Sequence, residues 1–144
     1  VVDLYCGIGI SLRRWAAAGA PSLGVELGGE ALECAAYNSP QAVLLRGACA
    51  QRLPQVNHWL DQQSEASRLL YVNPPRTGLE AAVRQWITGH ARPRRIAYLS
   101  CSSGTLARDL EELCSEGYRV DLIQPYDFFP LTHHVETLAL LYRQ

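Results

Sequence analysis

Three stretches of this chain bring together residue types that do chemistry. Ile96-Ala97-Tyr98-Leu99-Ser100-Cys101 is an apolar run that ends in a cysteine, followed by Ser102-Ser103-Gly104 and a helix-like segment, Thr105–Ser115. A strand thus feeds a thiol into a turn ahead of a helix, where a helix N-terminus favours the thiolate. Asp127-Phe128-Phe129-Pro130-Leu131-Thr132-His133-His134-Val135-Glu136 packs two acids, two aromatics, a threonine and two histidines into one loop. A soft nucleophile and a general base on one cleft suit covalent catalysis. Asp3-Leu4-Tyr5-Cys6-Gly7-Ile8-Gly9 puts glycines between a strand and a helix, where a ligand approaches the backbone closely. Glu26, at the end of the next apolar run, suits a ribose diol, because a carboxylate accepts hydrogen bonds from both hydroxyls.

These groups need a frame. Val1–Tyr5, Ser22–Glu26, Ala42–Arg46 and Arg68–Val72 read as strands, like the run ending at Cys101. Helices are predicted at Ser11–Ala18, Gly29–Asn38, Leu79–Thr88 and Thr105–Ser115, with Gln51–Gln63 a poorly patterned helix or loop. Ala31, Leu32, Cys34, Ala35 and Ala36 form the expected buried stripe of the second helix. Five strand–helix alternations imply parallel βαβ units. Tyr118–Pro125 and Val135–Tyr142 have only a loop between them and predict an antiparallel hairpin. The layout is that of the class I S-adenosylmethionine-dependent methyltransferase fold: α/β, Rossmann-like, a mostly parallel sheet with a C-terminal antiparallel hairpin.

The 144 residues, 48% hydrophobic and 19% charged, fit one globular domain with a real core. No apolar run approaches the roughly 20 residues that span a bilayer, and no secretory leader is present, so no membrane partner and a cytoplasmic location are expected. The absence of methionine and a first strand at residue 1 point to a piece of a longer protein. Five cysteines show no zinc spacing, and four of them read as small buried hydrophobes. His133 and His134 are adjacent, and in an extended segment they would point to opposite sides, so no metal site is expected. All 13 basic residues are arginine, yet the net charge is −1, so any attraction to nucleic acid must be local. Arg92-Pro93-Arg94-Arg95 is the one short basic cluster, and a solvated loop is its plainer reading.

Four motifs in order cover essentially the whole chain and together resemble the RNA uracil-5-methyltransferase family, in its C-terminal catalytic domain. Ser100-Cys101-Ser102-Ser103-Gly104-Thr105-Leu106-Ala107-Arg108-Asp109 is similar to the family's nucleophile motif. Asp127-Phe128-Phe129-Pro130, Thr132, His134 and Glu136 match its base motif. Asn73-Pro74-Pro75-Arg76-Thr77-Gly78-Leu79 resembles its DPPRxGL, and Asp3–Gly9 its first glycine motif. The resemblance implies methylation of uracil C5 in tRNA or rRNA with S-adenosyl-L-methionine as cofactor. It makes Cys101 the nucleophile at C6 and Glu136 the base that removes the C5 proton. It puts Tyr5, Gly7, Gly9, Glu26 and Asn73 at the cofactor, and Arg76, Phe129, Thr132 and His134 at the substrate. Residues 1–144 would be a single catalytic domain, lacking the N-terminal RNA-binding and central domains that the family carries.

The chain departs from the family on the cofactor side. Asn73 stands for the usual Asp and keeps its shape without its charge. Gly47-Ala48-Cys49 stands for Gly-Asp-Ala, and Gly9-Ile10-Ser11-Leu12 is one residue short with Ile10 at a cofactor-facing position. A glutamine the family uses for the cofactor would lie before residue 1. These departures support an alternative, a non-catalytic RNA-binding or scaffold domain with a decayed cofactor pocket. A nicotinamide oxidoreductase is disfavoured, because GxGxxG is absent and Cys101 with Glu136 would have no use there.

Overall fold

The computed structural model describes residues Val1–Gln144. Strand and helix alternate as β1 (Val2–Leu4), α1 (Ile10–Ala17), β2 (Leu23–Glu26), α2 (Gly29–Asn38), β3 (Val43–Arg46), α3 (Cys49–Leu60), β4 (Leu69–Val72), α4 (Ala81–Trp86), β5 (Arg95–Ser100) and α5 (Ser103–Ser115). Two strands then follow one another directly, β6 (Tyr118–Tyr126) and β7 (Glu136–Arg143). All seven form one sheet in the order β3-β2-β1-β4-β5-β7-β6. β1 to β5 are parallel, and β7 runs antiparallel between β5 and β6. The predicted α/β fold with its terminal hairpin is therefore present. No helix is long and apolar enough to cross a membrane.

Side chains alternate across each strand and sort the sheet into two faces. Val2, Leu4, Leu23, Val25, Leu70, Val72, Ile96, Tyr98, Ala139 and Leu141 are buried on one face. They join Val56 and Leu60 of α3, Val83 and Trp86 of α4, and Leu106, Leu110 and Leu113 of α5 in one cluster of 22 residues. The opposite face carries Asp3, Tyr71 and Ala97, with α1 lying over it through the edge-on contact of Trp15 with Tyr71. The chain moves outward from β1 through β2 to β3, then crosses back to β4 on β1's other side. That reversal opens a crevice at the carboxyl ends of β1 and β4, where open α/β sheets bind ligands.

Several local expectations are corrected. α3 is a regular helix beginning at Cys49, whose inward residues are Cys49, Val56 and Leu60. Pro54 inside it interrupts both the pattern and the backbone bonding. In α2 only Ala35 of the expected stripe is fully buried; Cys34 and Ala36 face solvent, because a helix of ten residues on an edge presents a narrow seam. Cys114 is exposed as well, so the buried-hydrophobe reading holds for Cys6 and Cys49 alone. α4 is shorter than predicted and unwinds into a π-helical turn, Ile87–Ala91, that ends on Arg92 in the left-handed region at φ 41°.

Asp3 is fully buried beneath α1, with Ser11 Oγ donating to its Oδ2 and its Oδ1 without a partner. Burial outweighs the Ser11 bond and pushes the Asp3 carboxyl up to about 7. Folded Asp3 holds its proton more tightly than unfolded Asp3. Its contribution to stability is therefore complete below pH 3.8 and is lost as the pH rises through about 7. Urea unfolding across this range should show a loss of up to about 4 kcal/mol, and Asp3→Asn should flatten that slope. An unchanged slope in the variant would remove Asp3 as its source.

Candidate active site

The turn after β1 is built from left-handed residues: Tyr5 at φ 62°, Gly7 at 53° and Gly9 at 79°. Glycine adopts this conformation at no steric cost, whereas Tyr5 holds it against a preference for negative φ. Gly9 is further required by packing, since a Cβ there would stand 2.9 Å from Ala35 Cα. Glu26 pins the turn to β2. Its Oε2 accepts from Gly7 N–H at 3.0 Å and its Oε1 from Gly28 N–H at 2.8 Å. Both carboxylate oxygens are thereby oriented, and each keeps a further acceptor lone pair for a ligand hydroxyl.

Beside this turn lies an open cavity of about 410 Å³, lined by Tyr5, Gly7, Ile10, Arg14, Tyr71 and Asn73 among others. The sequence-predicted Tyr5, Gly7 and Asn73 thus share one cavity at the crevice between β1 and β4, whereas Gly9 and Glu26 do not line it and Glu26 meets the turn through Gly7 N–H. Ile10 is exposed and opens the first turn of α1 on the cavity wall. Asn73 is exposed, with its backbone N–H donating to Leu4 O at 3.4 Å. The Tyr5 phenol is pushed up by burial first, then by the neighbouring Cys49 and Glu80.

Cys101 sits one residue past the end of β5 and is half-buried. Ser102 caps the backbone entry to α5, and Ser100 Oγ closes the turn by donating to Ser102 O at 3.0 Å and accepting from Ser102 N–H at 3.1 Å. In the β5–β7 ladder Ser100 pairs with Thr137 and Leu99 with Leu138. Glu136, two residues before Leu138 on β7, shares the face of Leu99 and Ala97, while Cys101 follows Ser100 beyond the last paired residue of β5. Tyr71 belongs to that face too: burial first, then the carboxylates of Asp3 and Glu136, push its phenol up to about 12. Glu136 therefore stands on the sheet face that carries Tyr71 of the cavity wall, and Cys101 lies one residue past the adjoining end of β5. Burial pushes the thiols of Cys6 and Cys49 up to about 12.

A third element joins the two halves. Asp109, fully buried on α5, accepts from Leu79 N–H at 2.8 Å and Tyr98 O–H at 2.7 Å through Oδ2. Its Oδ1 accepts from Arg108 at 2.7 and 2.9 Å, and Arg84 lies 3.4 Å away. Thr105 Oγ1 adds a bond to Arg76 O at 3.0 Å. The Asn73–Leu79 loop is so tied to the helix that follows Cys101. Sequence reasoning misses Asp109 as a site residue. Its signal is its place on the apolar stripe of α5, three residues after Leu106 and beside Leu110.

The loop between β6 and β7 is almost wholly exposed, with Phe128 stacked on Tyr126 at 5.4 Å and Phe129 edge-on to His134 at 6.4 Å. Thr132 Oγ1 donates to Phe129 O at 2.7 Å and accepts from His134 N–H at 3.2 Å. Phe129, Thr132 and His134 are thus brought together, and Arg76 lies exposed on the Asn73–Leu79 loop. The His133 and His134 rings do not diverge but lie 4.4 Å apart, because this loop bends rather than extends.

The family model for tRNA (uracil-5-)-methyltransferase matches residues 51–144. An RNA methyltransferase of Thermosynechococcus vestitus, itself uncharacterized, is 41% identical over 98% of this chain and 31% of its own length. The 23S rRNA (uracil(747)-C(5))-methyltransferase of Escherichia coli is 36% identical over 99% of this chain and 36% of its own. The chain thus spans about a third of the length of these curated relatives. The crystal structure of Pyrococcus abyssi tRNA (uracil-54, C5)-methyltransferase in complex with S-adenosyl-L-homocysteine superposes with a TM-score of 0.78 at 29% identity, over 97% of this chain and 33% of that one. An S-adenosylmethionine-dependent methyltransferase from Mesorhizobium loti, 17% identical with a TM-score of 0.64 over 99% of this chain and 89% of its own, shares the fold.

Asp109→Asn keeps the shape of this buried hub but removes its charge beside Arg84 and Arg108. It should lower the unfolding free energy by about 3 kcal/mol, as removal of one partner of a buried ion pair does. Urea denaturation checks this, and a loss under about 1 kcal/mol would contradict the role.

Proposed function

The chain belongs to the tRNA (uracil-5-)-methyltransferase family, and from that premise we propose that it is the catalytic domain of an S-adenosyl-L-methionine-dependent enzyme methylating uracil C5 in tRNA or rRNA. The observation that supports this reading is the β5–β7 ladder, which ends at Ser100 and Thr137, one residue short of Cys101 and of Glu136. Together with the retained cavity it favours catalysis over a non-catalytic RNA-binding scaffold.

The cofactor's fit rests on the cavity and on Glu26. The Glu26 carboxylate, oriented by Gly7 and Gly28, would receive the ribose hydroxyls, while Tyr5, Gly7 and Asn73 would form the surrounding wall and Gly9 would complete the turn. When bound, S-adenosyl-L-methionine supplies an electrophilic methyl group. The protein's task is to make uracil C5 nucleophilic. Cys101 Sγ adds to C6 as a thiolate, and the C5–C6 π electrons move to give an enolate-like C5 that takes the methyl group. Glu136 then accepts the proton from C5, the C5–C6 double bond reforms, and the Cys101 thiolate leaves. The base must leave its stack to reach this cleft. Phe129, Thr132, His134 and Arg76 form the exposed rim that would receive it, the aromatic rings by stacking and Arg76 through phosphate.

In the full-length protein, Cys101→Ala should abolish covalent capture of RNA containing 5-fluorouridine on denaturing gels. Glu136→Gln should add the thiol and methylate but release slowly, so that a covalent adduct accumulates even on ordinary uridine and turnover falls by about 10²–10⁴. Capture that survives Cys101→Ala would overturn the mechanism.

A further inference from the structure

The arginines of this chain are unevenly placed. Arg68, Arg92, Arg94, Arg95, Arg119 and Arg143, six of the 13, lie at the end of the sheet where β4, β5 and β6 begin and β7 ends. Arg68 alone among them has a carboxylate within ion-pair distance, Glu65 at 3.7 Å. Asp121, which lines an apolar cleft with Arg95, and Glu116, two residues ahead of β6, are further acids of this end. A chain with a net charge of −1 therefore gathers nearly half of its arginines, with fewer acids, at one end of the sheet.

This end is also preorganised. Arg94 N–H donates to Arg68 O at 3.1 Å, Arg143 N–H to Arg94 O at 3.0 Å, and the Arg143 guanidinium to Arg92 O at 2.8 Å. Tyr118 O–H holds Pro93 O at 3.0 Å. Arg68 is spent on structure, donating to Leu60 O and Ala91 O. Arg92, Arg94 and Arg95 are exposed. A depression of about 400 Å³ between Ser67, Arg68, Arg94 and Arg95 opens beside them. A solvated loop needs none of this anchoring.

We propose that this basic end is a second RNA contact that grips the phosphate backbone of a base-paired stem, remote from the base being methylated. The inference rests on the reading of the chain as an RNA methyltransferase domain. β5 runs six residues from Arg95 to Ser100, so the patch lies about 20 Å from Cys101. A base drawn into the cleft leaves its stem outside the protein, and phosphate contacts fix the orientation of that stem without reading its sequence. Arginine suits the task through its forked donors.

The test uses the full-length protein and a fluorescein-labelled RNA duplex of about 20 base pairs, with affinity read by anisotropy from about 50 to 200 mM KCl. Against the parent, Arg92→Gln/Arg94→Gln/Arg95→Gln should bind at least tenfold more weakly at the low-salt end. The slope of log K against log[KCl] should flatten by about 2 to 3, at roughly 0.9 for each phosphate that the variant leaves unneutralised. Equal affinity and slope in parent and variant would overturn the proposal. So would a fall in thermal stability with the slope unchanged, which would assign the patch to packing against another part of the protein. Capture of 5-fluorouridine RNA by the parent is read separately, so the methyltransferase reading can stand when this one falls.

Discussion

One buried carboxylate holds the Asn73–Leu79 loop to α5. Asp109 has no contact with solvent, and its two oxygens meet a backbone N–H, a phenol and two guanidinium groups. Desolvating a charge is costly, and only a full set of partners offsets that cost. The requirement spreads outward. Gly78 must be glycine: its φ is 76°, and a Cβ would stand 2.6 Å from Asp109 Oδ2. The Arg84 side chain must reach from α4 across to both Asp109 and Glu112 of α5. The loop carrying Asn73 and Arg76 is thereby fixed against the helix that starts two residues after Cys101.

Topology supplies what side-chain contacts do not. β7, the last strand, inserts beside β5 rather than adding to the sheet edge, and β6 takes the outside. That insertion sets the start of β7 level with the end of β5. Cys101 and Glu136, the proposed nucleophile and base, are thereby each one residue beyond the last pair of the β5–β7 ladder. The cavity is placed by the reversal between β1 and β4, and the glycine turn keeps the backbone open toward it.

Much of this is legible from local pattern. The glycines around Tyr5 announce a left-handed turn, and an apolar run cut off at Cys101 announces a strand end. Glu26 at the end of its run is where a diol-binding carboxylate would stand. What local pattern hides are properties of the assembled molecule. Strand order follows from the pairing of distant segments, so the position of β7 between β5 and β6 has no local mark. Asp109 reads as one more helix polar residue until its neighbours Leu106 and Leu110 are seen to face the core. α2 looks apolar over five residues, but only Ala35 meets the closely packed turn at Gly9. Adjacent histidines suggest diverging side chains, and a bent loop instead brings the His133 and His134 rings together.

The central claim is that the cavity beside the glycine turn is a cofactor site served by Glu26. Calorimetric titration of the full-length protein with S-adenosyl-L-methionine tests it most directly. The account predicts saturable binding at one site per chain, weakened at least tenfold by Glu26→Ala through loss of charged hydrogen bonds worth about 1.5–3 kcal/mol. Absence of binding in the full-length protein, or binding indifferent to Glu26→Ala, would contradict it.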